Sequence, residues 1–374
     1  MVILFMNKAF QKPMKIGSYS EEDVFFLLKD LSSYDLEGST LMREKAVQSG
    51  GHYSESLPTE YSPPSEYMDL FRETTETFKK KMALNIGIVA EKILRRNGND
   101  MVLVSLARAG TPIGALIRRY LLHFYNLSVP HYSISIIRGK GFDYNAIQYI
   151  LNRHKGSHIQ FVDGWTGKGA ITKELINSCH IFYKNYGVKL DDSLAVVADP
   201  GYCSNLYGTR EDFLIPSACL NSTVSGLVSR TVLNEQYIGP DDFHGAKYYK
   251  NFSSVDVSNE FLNIISQQFQ SIQREVLKEY LQKEAESNEL TFAGLTDVEK
   301  IMSEYEIDNI NFVKPGVGET TRVLLRRVPW KILIKDMNSP YVKHILMLAI
   351  EKEVPVEHYP NMNYTACGLI KRLS

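Results

Sequence analysis

Between residues 101 and 198 the chain alternates short, mostly apolar runs with amphipathic stretches, and that alternation leaves few folds open. Met101-Val-Leu-Val-Ser-Leu106, Tyr132 to Ile137, His158 to Val162 and Leu194 to Ala198 read as strands. Pro112 to Tyr125, Asn145 to Asn152 and Ile171 to Tyr186 read as helices between them. Strands alternating with helices imply βαβ units and a mainly parallel sheet with flanking helices. The fold class is therefore α/β. Ahead of this region, Tyr67, Leu70, Phe71, Thr74, Phe78, Met82, Ile86, Val89 and Ile93 recur at three- and four-residue steps. They predict one long helix over Ser65 to Asn97, stopped by Asn97-Gly98.

Charge divides the rest. Residues 284–308 hold eight acids against one base, and residues 322–374 hold nine bases against four acids, net charges of −7 and +5. The expected organisation is an N-terminal extension and helix over 1–97, an α/β core over 98–257, a helical and acidic connector over 258–321, and a small basic α/β module over 322–374. The connector opens with a polar helix, Ser258 to Gln282. The last module reads strand (Val323 to Leu325), strand (Lys331 to Ile334), helix (Pro340 to Lys352), strand (Val356 to Tyr359), helix (Tyr364 to Leu373).

Composition removes several classes. Hydrophobic residues make up 44% and charged residues 23%, which excludes a disordered or collagen-like chain. Forty-two basic against forty-three acidic side chains confine any nucleic-acid surface to a local patch. Four scattered cysteines without a Cys-x-x-Cys pair do not make a disulfide framework or a zinc ribbon, and the histidines lack a ligand spacing, so no direct metal site is expected. No apolar run approaches the ~20 residues that span a bilayer, and the apolar start Met1 to Met6 lacks a basic leader. A soluble, cytoplasmic protein is the expectation.

In an open parallel sheet, ligands bind where strands run out into loops. Two such loops carry chemistry here. Ala107-Arg108-Ala109-Gly110 joins a strand to a helix, and its small residues, free amides and fixed positive charge suit an anion. Asp163-Gly-Trp-Thr-Gly-Lys-Gly-Ala170 ends a strand on an acid and opens a helix with a Gly/Thr-rich turn. The amides of Thr166, Gly167, Lys168, Gly169 and Ala170 suit a phosphate, while Asp163, with Gly164, suits sugar hydroxyls or a water-bridged magnesium ion. The loop is too short for a Walker A motif and lacks a dinucleotide fingerprint. Between the two loops, Ile137-Arg-Gly-Lys-Gly-Phe-Asp143 suits a mobile basic flap, with Arg138 and Lys140 closing over an anion.

This order of loops resembles a type I phosphoribosyltransferase, although Val162-Asp163 supplies one acid where that family has two. The motifs Gly17-Ser-Tyr-Ser, Arg43, Gln48-Ser-Gly-Gly-His-Tyr53, Pro58-Thr-Glu60 and Asn221 to Arg230 narrow the resemblance. With Arg326-Arg-Val-Pro-Trp-Lys331 they are similar to a bacterial family from tellurite-resistance and stress gene clusters. That family joins a predicted phosphoribosyltransferase domain to a C-terminal Pelota-type RNA-binding domain, and many members carry the label cysteine protease StiP.

The resemblance implies phosphoribosyl transfer from phosphoribosyl pyrophosphate, with magnesium, to a nucleobase-like acceptor. Ala107 to Gly110 would grip pyrophosphate, and Asp163, Gly164 and Thr166 to Ala170 the 5-phosphate and ribose, with Asp163, Arg138 and Lys140 catalytic. Gln48, His52, Tyr53, Glu60 and Asp199 would form the acceptor pocket, and Arg326, Arg327, Lys331 and Lys335 would contact RNA. Two alternatives stand beside it. One is a cysteine peptidase with Cys203 as nucleophile and His52, His154 or His244 as base. The other is a non-catalytic nucleotide-sensing, RNA-binding protein.

Overall fold

The computed structural model describes residues 13–38, 52–283 and 289–370. At its centre lies a six-stranded sheet of β1 (Phe25–Phe26), β2 (Met101–Leu106), β3 (His131–Ile134), β4 (His158–Val162), β5 (Leu194–Ala198) and β6 (Leu206–Thr209). The order is β1-β3-β2-β4-β5-β6, and every neighbouring pair is parallel. Helices α1 (Ser65–Asn97), α2 (Gly110–Tyr125), α3 (Tyr144–Arg153), α4 (Ala170–Tyr186), α5 (Ser258–Ser266) and α6 (Phe269–Lys283) cover its faces.

The strands are buried on both sides because their side chains alternate between two cores. Met101 and Leu103 of β2 pack with Ile86, Val89 and Ile93 of α1, Leu116 of α2, Phe261 of α5 and Val276 of α6. Val102, Val104 and Leu106 pack on the opposite face with Ile147 of α3 and Phe182 of α4. Each fully buried aliphatic side chain of this kind is worth about 1.5–3 kcal/mol. The polar helix expected from Ser258 to Gln282 is two helices, with Gln267 and Gln268 at the break between α5 and α6.

The C-terminal module comprises α7 (Ala293–Glu304), β7 (Val313–Pro315), α8 (Val317–Arg326), β8 (Pro329–Ile334), α9 (Lys343–Glu351), β9 (Val356–His358) and β10 (Ala366–Ile370). Its sheet runs β7-β10-β8-β9, antiparallel except between β8 and β9. Two expected elements differ. Val323 to Leu325 is not a strand: buried Val317, Thr320, Thr321 and Leu324 form a helical stripe that makes it the last turn of α8. The helix expected over Tyr364 to Leu373 is not formed in its described part, residues 364–370: Ala366 to Leu369 form an inner strand buried on both faces, and so short an apolar run has no period to read. The boundary expected at 322 falls inside α8, and the acidic stretch supplies α7, whose Val298 and Ile301 pack with Val313 and Leu369.

Candidate functional site

The carboxyl ends of the sheet strands open onto a cleft whose far wall is the C-terminal module. β4 ends at Val162, and Asp163 leads into the loop that starts α4. Gly169, the residue before α4, has φ +81°, a left-handed backbone that suits glycine, and a Cβ there would meet the Phe292 ring at 2.6 Å. No side chain caps α4, so its first amides lack intrahelical acceptors.

Ala109, Arg138, Asp163, Thr166, Gly167, Lys168, Gly169 and Ala170 line one cavity of about 210 Å3, together with Lys314, Glu319 and Arg322 from the C-terminal module. Burial pushes the Asp163 carboxyl up to about 7, against the pull of the Gly164 amide, 2.7 Å from Oδ1, and of Arg322. Lys168 Nζ donates to the carbonyls of Ile310 at 2.5 Å and Val313 at 3.4 Å. Burial, then Lys314 and Arg138, lower its pKa to about 8.

Other expected site residues lie elsewhere. Arg108 turns away from this cavity. Its guanidinium points to Val228 O and Asn221 Oδ1, at 3.4 and 3.5 Å, with Glu60 as the nearby counter-charge. Gly110 is buried at the start of α2, where an added Cβ would meet Val162 O at 2.3 Å, and Gly164 donates to Asp163. Ala107 and Tyr53 line a second cavity of about 800 Å3, which shares Arg138, Lys168 and Lys314 with the first.

The basic flap is anchored, not free. The amides of Gly139 and Gly141 donate to Glu174 at 2.7 and 2.9 Å, and Asp143 caps α3 through Ala146 N. Lys140 lies beside Asp143 and His244, away from the cleft.

The expected acceptor pocket does not assemble. Gln48 lies outside the described residues. His52 bonds Ser54, and Glu60 accepts from Ser222. Tyr53 Oη accepts from Arg138 N at 2.9 Å. Asp199 is fully buried, paired with Arg210, and accepts from Thr166 and from the amides of Cys203 and Ser204. It braces the turn after β5.

Cys203 sits on that turn. Its Sγ contacts Gly201 O at 3.2 Å and Gly167 O at 3.6 Å. Burial, with Asp199 adding to it, pushes the thiol up to about 12, while Arg210 and Lys173 pull the other way. The C-terminal region covers it: Phe292 N donates to Tyr202 O, Gly294 N to Gly201 O and Tyr364 Oη to Gly167 O, at 3.0–3.1 Å. No imidazole contacts the thiol among the described residues. His154 bonds Tyr132 Oη and His244 bonds Ser135, so the base expected for Cys203 is not assembled in this state.

At the C-terminal module, Arg326 is spent inside the protein. It bonds Cys219 O and Asn221 Oδ1 and lies over the Tyr67 ring, so it is not presented to a ligand. Lys331 pairs with Glu357 at 2.6 Å, whereas Arg327 and Lys335 are exposed at the two ends of β8. Sequence reasoning missed Lys314, Glu319 and Arg322, which face the loop of Asp163 only once the C-terminal module is docked. Among the described residues no three His, Cys, Asp or Glu side chains gather as a metal site, and none of the helices is long and apolar enough to cross a membrane.

Comparison with known proteins supplies a family. The family model described as tellurite-like stress resistance cysteine protease StiP matches residues 17–266, and the Pelota RNA-binding domain model matches residues 292–372. The chain is 32% identical over 389 residues to the cysteine protease StiP of Acinetobacter baylyi (strain ATCC 33305 / BD413 / ADP1), covering 100% of this chain and 99% of that one. A crystal structure of a hypothetical protein from Neisseria gonorrhoeae with bound ppGpp is similar over 40% of this chain and 74% of that one. At 16% identity and a TM-score of 0.21, that likeness carries no argument. The family and the curated relative are both described as cysteine proteases. That overturns phosphoribosyl transfer as the expected reaction. Phosphoribosyl pyrophosphate and magnesium entered with that reaction and are not carried forward.

Proposed function

Because the chain belongs to the StiP family of tellurite-like stress-resistance cysteine proteases, we propose that it is a cysteine peptidase in a resting state, with Cys203 as its nucleophile. One observation carries the choice. Cys219, Cys179 and Cys367 each belong to an apolar core, whereas Cys203 belongs to none and lies on an irregular turn at the carboxyl edge of the sheet. Its cover comes from the C-terminal region, through Phe292, Gly294 and Tyr364. With that cover lifted, the desolvation that suppresses the thiolate is relieved, and Lys173 and Arg210 favour the anion. The thiolate then attacks a peptide carbonyl, the C–N bond breaks as the amine leaves with a proton from solvent, and water hydrolyses the resulting thioester to the carboxylic acid, returning the thiolate.

The test is hydrolysis of labelled casein, with and without RNA. Cys203→Ser is expected to lower the rate about a thousandfold or more, while Cys179→Ser and Cys367→Ser retain it. Wild-type cleavage by a folded Cys203→Ser protein removes the assignment.

The C-terminal domain supports RNA binding in the same protein. Arg327 and Lys335 are exposed at the ends of β8, with the half-exposed Trp330 between them. Cationic contacts to phosphate make affinity fall with salt. Arg327→Ala with Lys335→Ala is expected to weaken single-stranded RNA binding and reduce its salt slope by about 1.4. Arg326→Ala is expected to leave that slope unchanged and lower thermal stability instead. An unchanged slope in the double variant rules this surface out.

A further inference from the structure

Phe292, the residue just ahead of α7, does more than cover Cys203. It lines a cavity of about 720 Å3 along α4, where Ile176, Tyr183 and Leu190 supply apolar wall. Lys173 Nζ stands over its ring, 5.0 Å from the centre. The ring abuts Gly169, where an added Cβ would meet it at 2.6 Å and would meet Cys203 Sγ at 2.9 Å. Ring and thiol therefore converge on one point, at a residue that carries no side chain. Phe292 is held at φ +51°, a left-handed backbone unusual for an aromatic residue, so its surroundings fix it there.

The backbone at Phe292 lies against the turn of Cys203 as a bound peptide would. Its N–H donates to Tyr202 O, on the residue before the nucleophile, and Gly294 N donates to Gly201 O. Leu295, three residues on, lines the neighbouring cavity of about 800 Å3, which shares Lys173 with the first. One short segment thus joins two backbone bonds to two seated apolar side chains. It does not offer its own peptide bond to the thiol. Phe292 O accepts from Leu295 N at 2.8 Å, which folds the Phe292–Ala293 bond into the first turn of α7.

We propose that Phe292 occupies the specificity subsite of the peptidase: once the C-terminal region lifts, this cavity takes an aromatic side chain from the substrate residue whose carbonyl the Cys203 thiolate attacks. The inference rests on the peptidase reading above. Lys173, placed over the ring, favours an aromatic over an aliphatic side chain, and the apolar wall disfavours a charged one.

Chloromethyl ketones test the subsite apart from turnover, because the thiolate displaces chloride and the C–S bond formed is not hydrolysed. Acetyl-phenylalanyl and acetyl-glycyl chloromethyl ketones are compared on Phe292→Ala, with iodoacetamide as the measure of simple uncovering. A Cys179→Ser background removes the thiol on the wall of the same cavity, and peptide mapping assigns the label. At Cys203 the phenylalanyl ketone is expected to react at least about tenfold faster than the glycyl one. Adding Ile176→Asp is expected to abolish that preference while the iodoacetamide rate stays within about twofold. Equal rates for the two ketones overturn the subsite, as does a preference that survives Ile176→Asp or a Cys203 that none of the three reagents labels. The same preference, at a lower rate, is expected in the wild-type chain, so the test stands if Phe292→Ala does not fold. Casein separates this claim from the one beneath it. A ketone preference without casein hydrolysis by either protein supports the aromatic seat and removes the peptidase reading. Hydrolysis at bonds that do not follow aromatic residues removes the seat alone.

Discussion

Gly294→Val is expected to raise the rate at which Cys203 reacts with iodoacetamide by about ten- to a hundredfold, with the other three thiols unchanged. A Cβ on Gly294 would stand 1.9 Å from Tyr364 Oη and 2.7 Å from Gly201 Cα. Neither neighbour has room to yield. Tyr364 is wholly buried, and Gly201 is itself pressed against Gly167 O, which an added Cβ there would meet at 2.1 Å. The start of α7 must therefore draw back from the turn that bears Cys203. Two backbone bonds go with it, Gly294 N to Gly201 O and Phe292 N to Tyr202 O, each worth about 0.5–1.5 kcal/mol. Phe292, held at φ +51°, also gains freedom to relax, and its ring leaves Gly169. Making local opening easier by about 1.4–2.8 kcal/mol gives the stated ten- to a hundredfold rise. Peptide mapping of the alkylated protein assigns the site. If Cys203 reacts at the wild-type rate while the melting temperature falls, the C-terminal region is not its cover.

The covering of Cys203 also marks where sequence stopped being informative. The sheet was legible because its strands are apolar on both faces and separated by helices of clear period, as Met101 to Leu106 and Ser65 to Asn97 show. The loop of Asp163 was legible as the junction of β4 and α4, because a strand ending on an acid is followed there by glycines and then by a helical period. The chemistry was not. Arg108 looked like an anion grip, but its long side chain chose Asn221 and Val228, more than a hundred residues away. Asp199 looked like a pocket acid, but a half-buried Arg210 and three further donors consume it. Lys314 and Arg322 carried no local signal, because their role depends on how the second module docks. Val323 to Leu325 and Tyr364 to Leu373 failed for a different reason: both are short apolar stretches, in which helix and strand periods look alike.

Asp212→Ala is expected to loosen the docked module, and its penalty is expected to grow as the pH falls. Asp212 lies in the loop after β6, is 7% exposed, and accepts from Val317 N at 2.9 Å and Thr365 N at 2.8 Å, at the starts of α8 and β10. One carboxylate thus holds two elements of the C-terminal module to the sheet. Truncation leaves both amides buried without an acceptor, at about 1–3 kcal/mol each. Burial nevertheless raises the pKa of Asp212 from 3.8 to about 6, against those same amides, so its charged form carries a desolvation cost in the fold. A group with a raised folded pKa contributes stability that is complete below its unfolded pKa and lost as pH rises through the folded one. The wild-type contribution therefore increases from pH 8 to pH 5, and the alanine penalty should increase by about 1.4 kcal/mol over that interval. An acid held by a salt bridge would give the opposite trend. Trp165 stacks near Arg322 across the module boundary, and the chain has two tryptophans, so Trp165 emission in a Trp330→Phe background reads undocking during urea titration. A penalty that shrinks toward pH 5 would show that Asp212 acts as a surface anion and not as the buried tie between the modules.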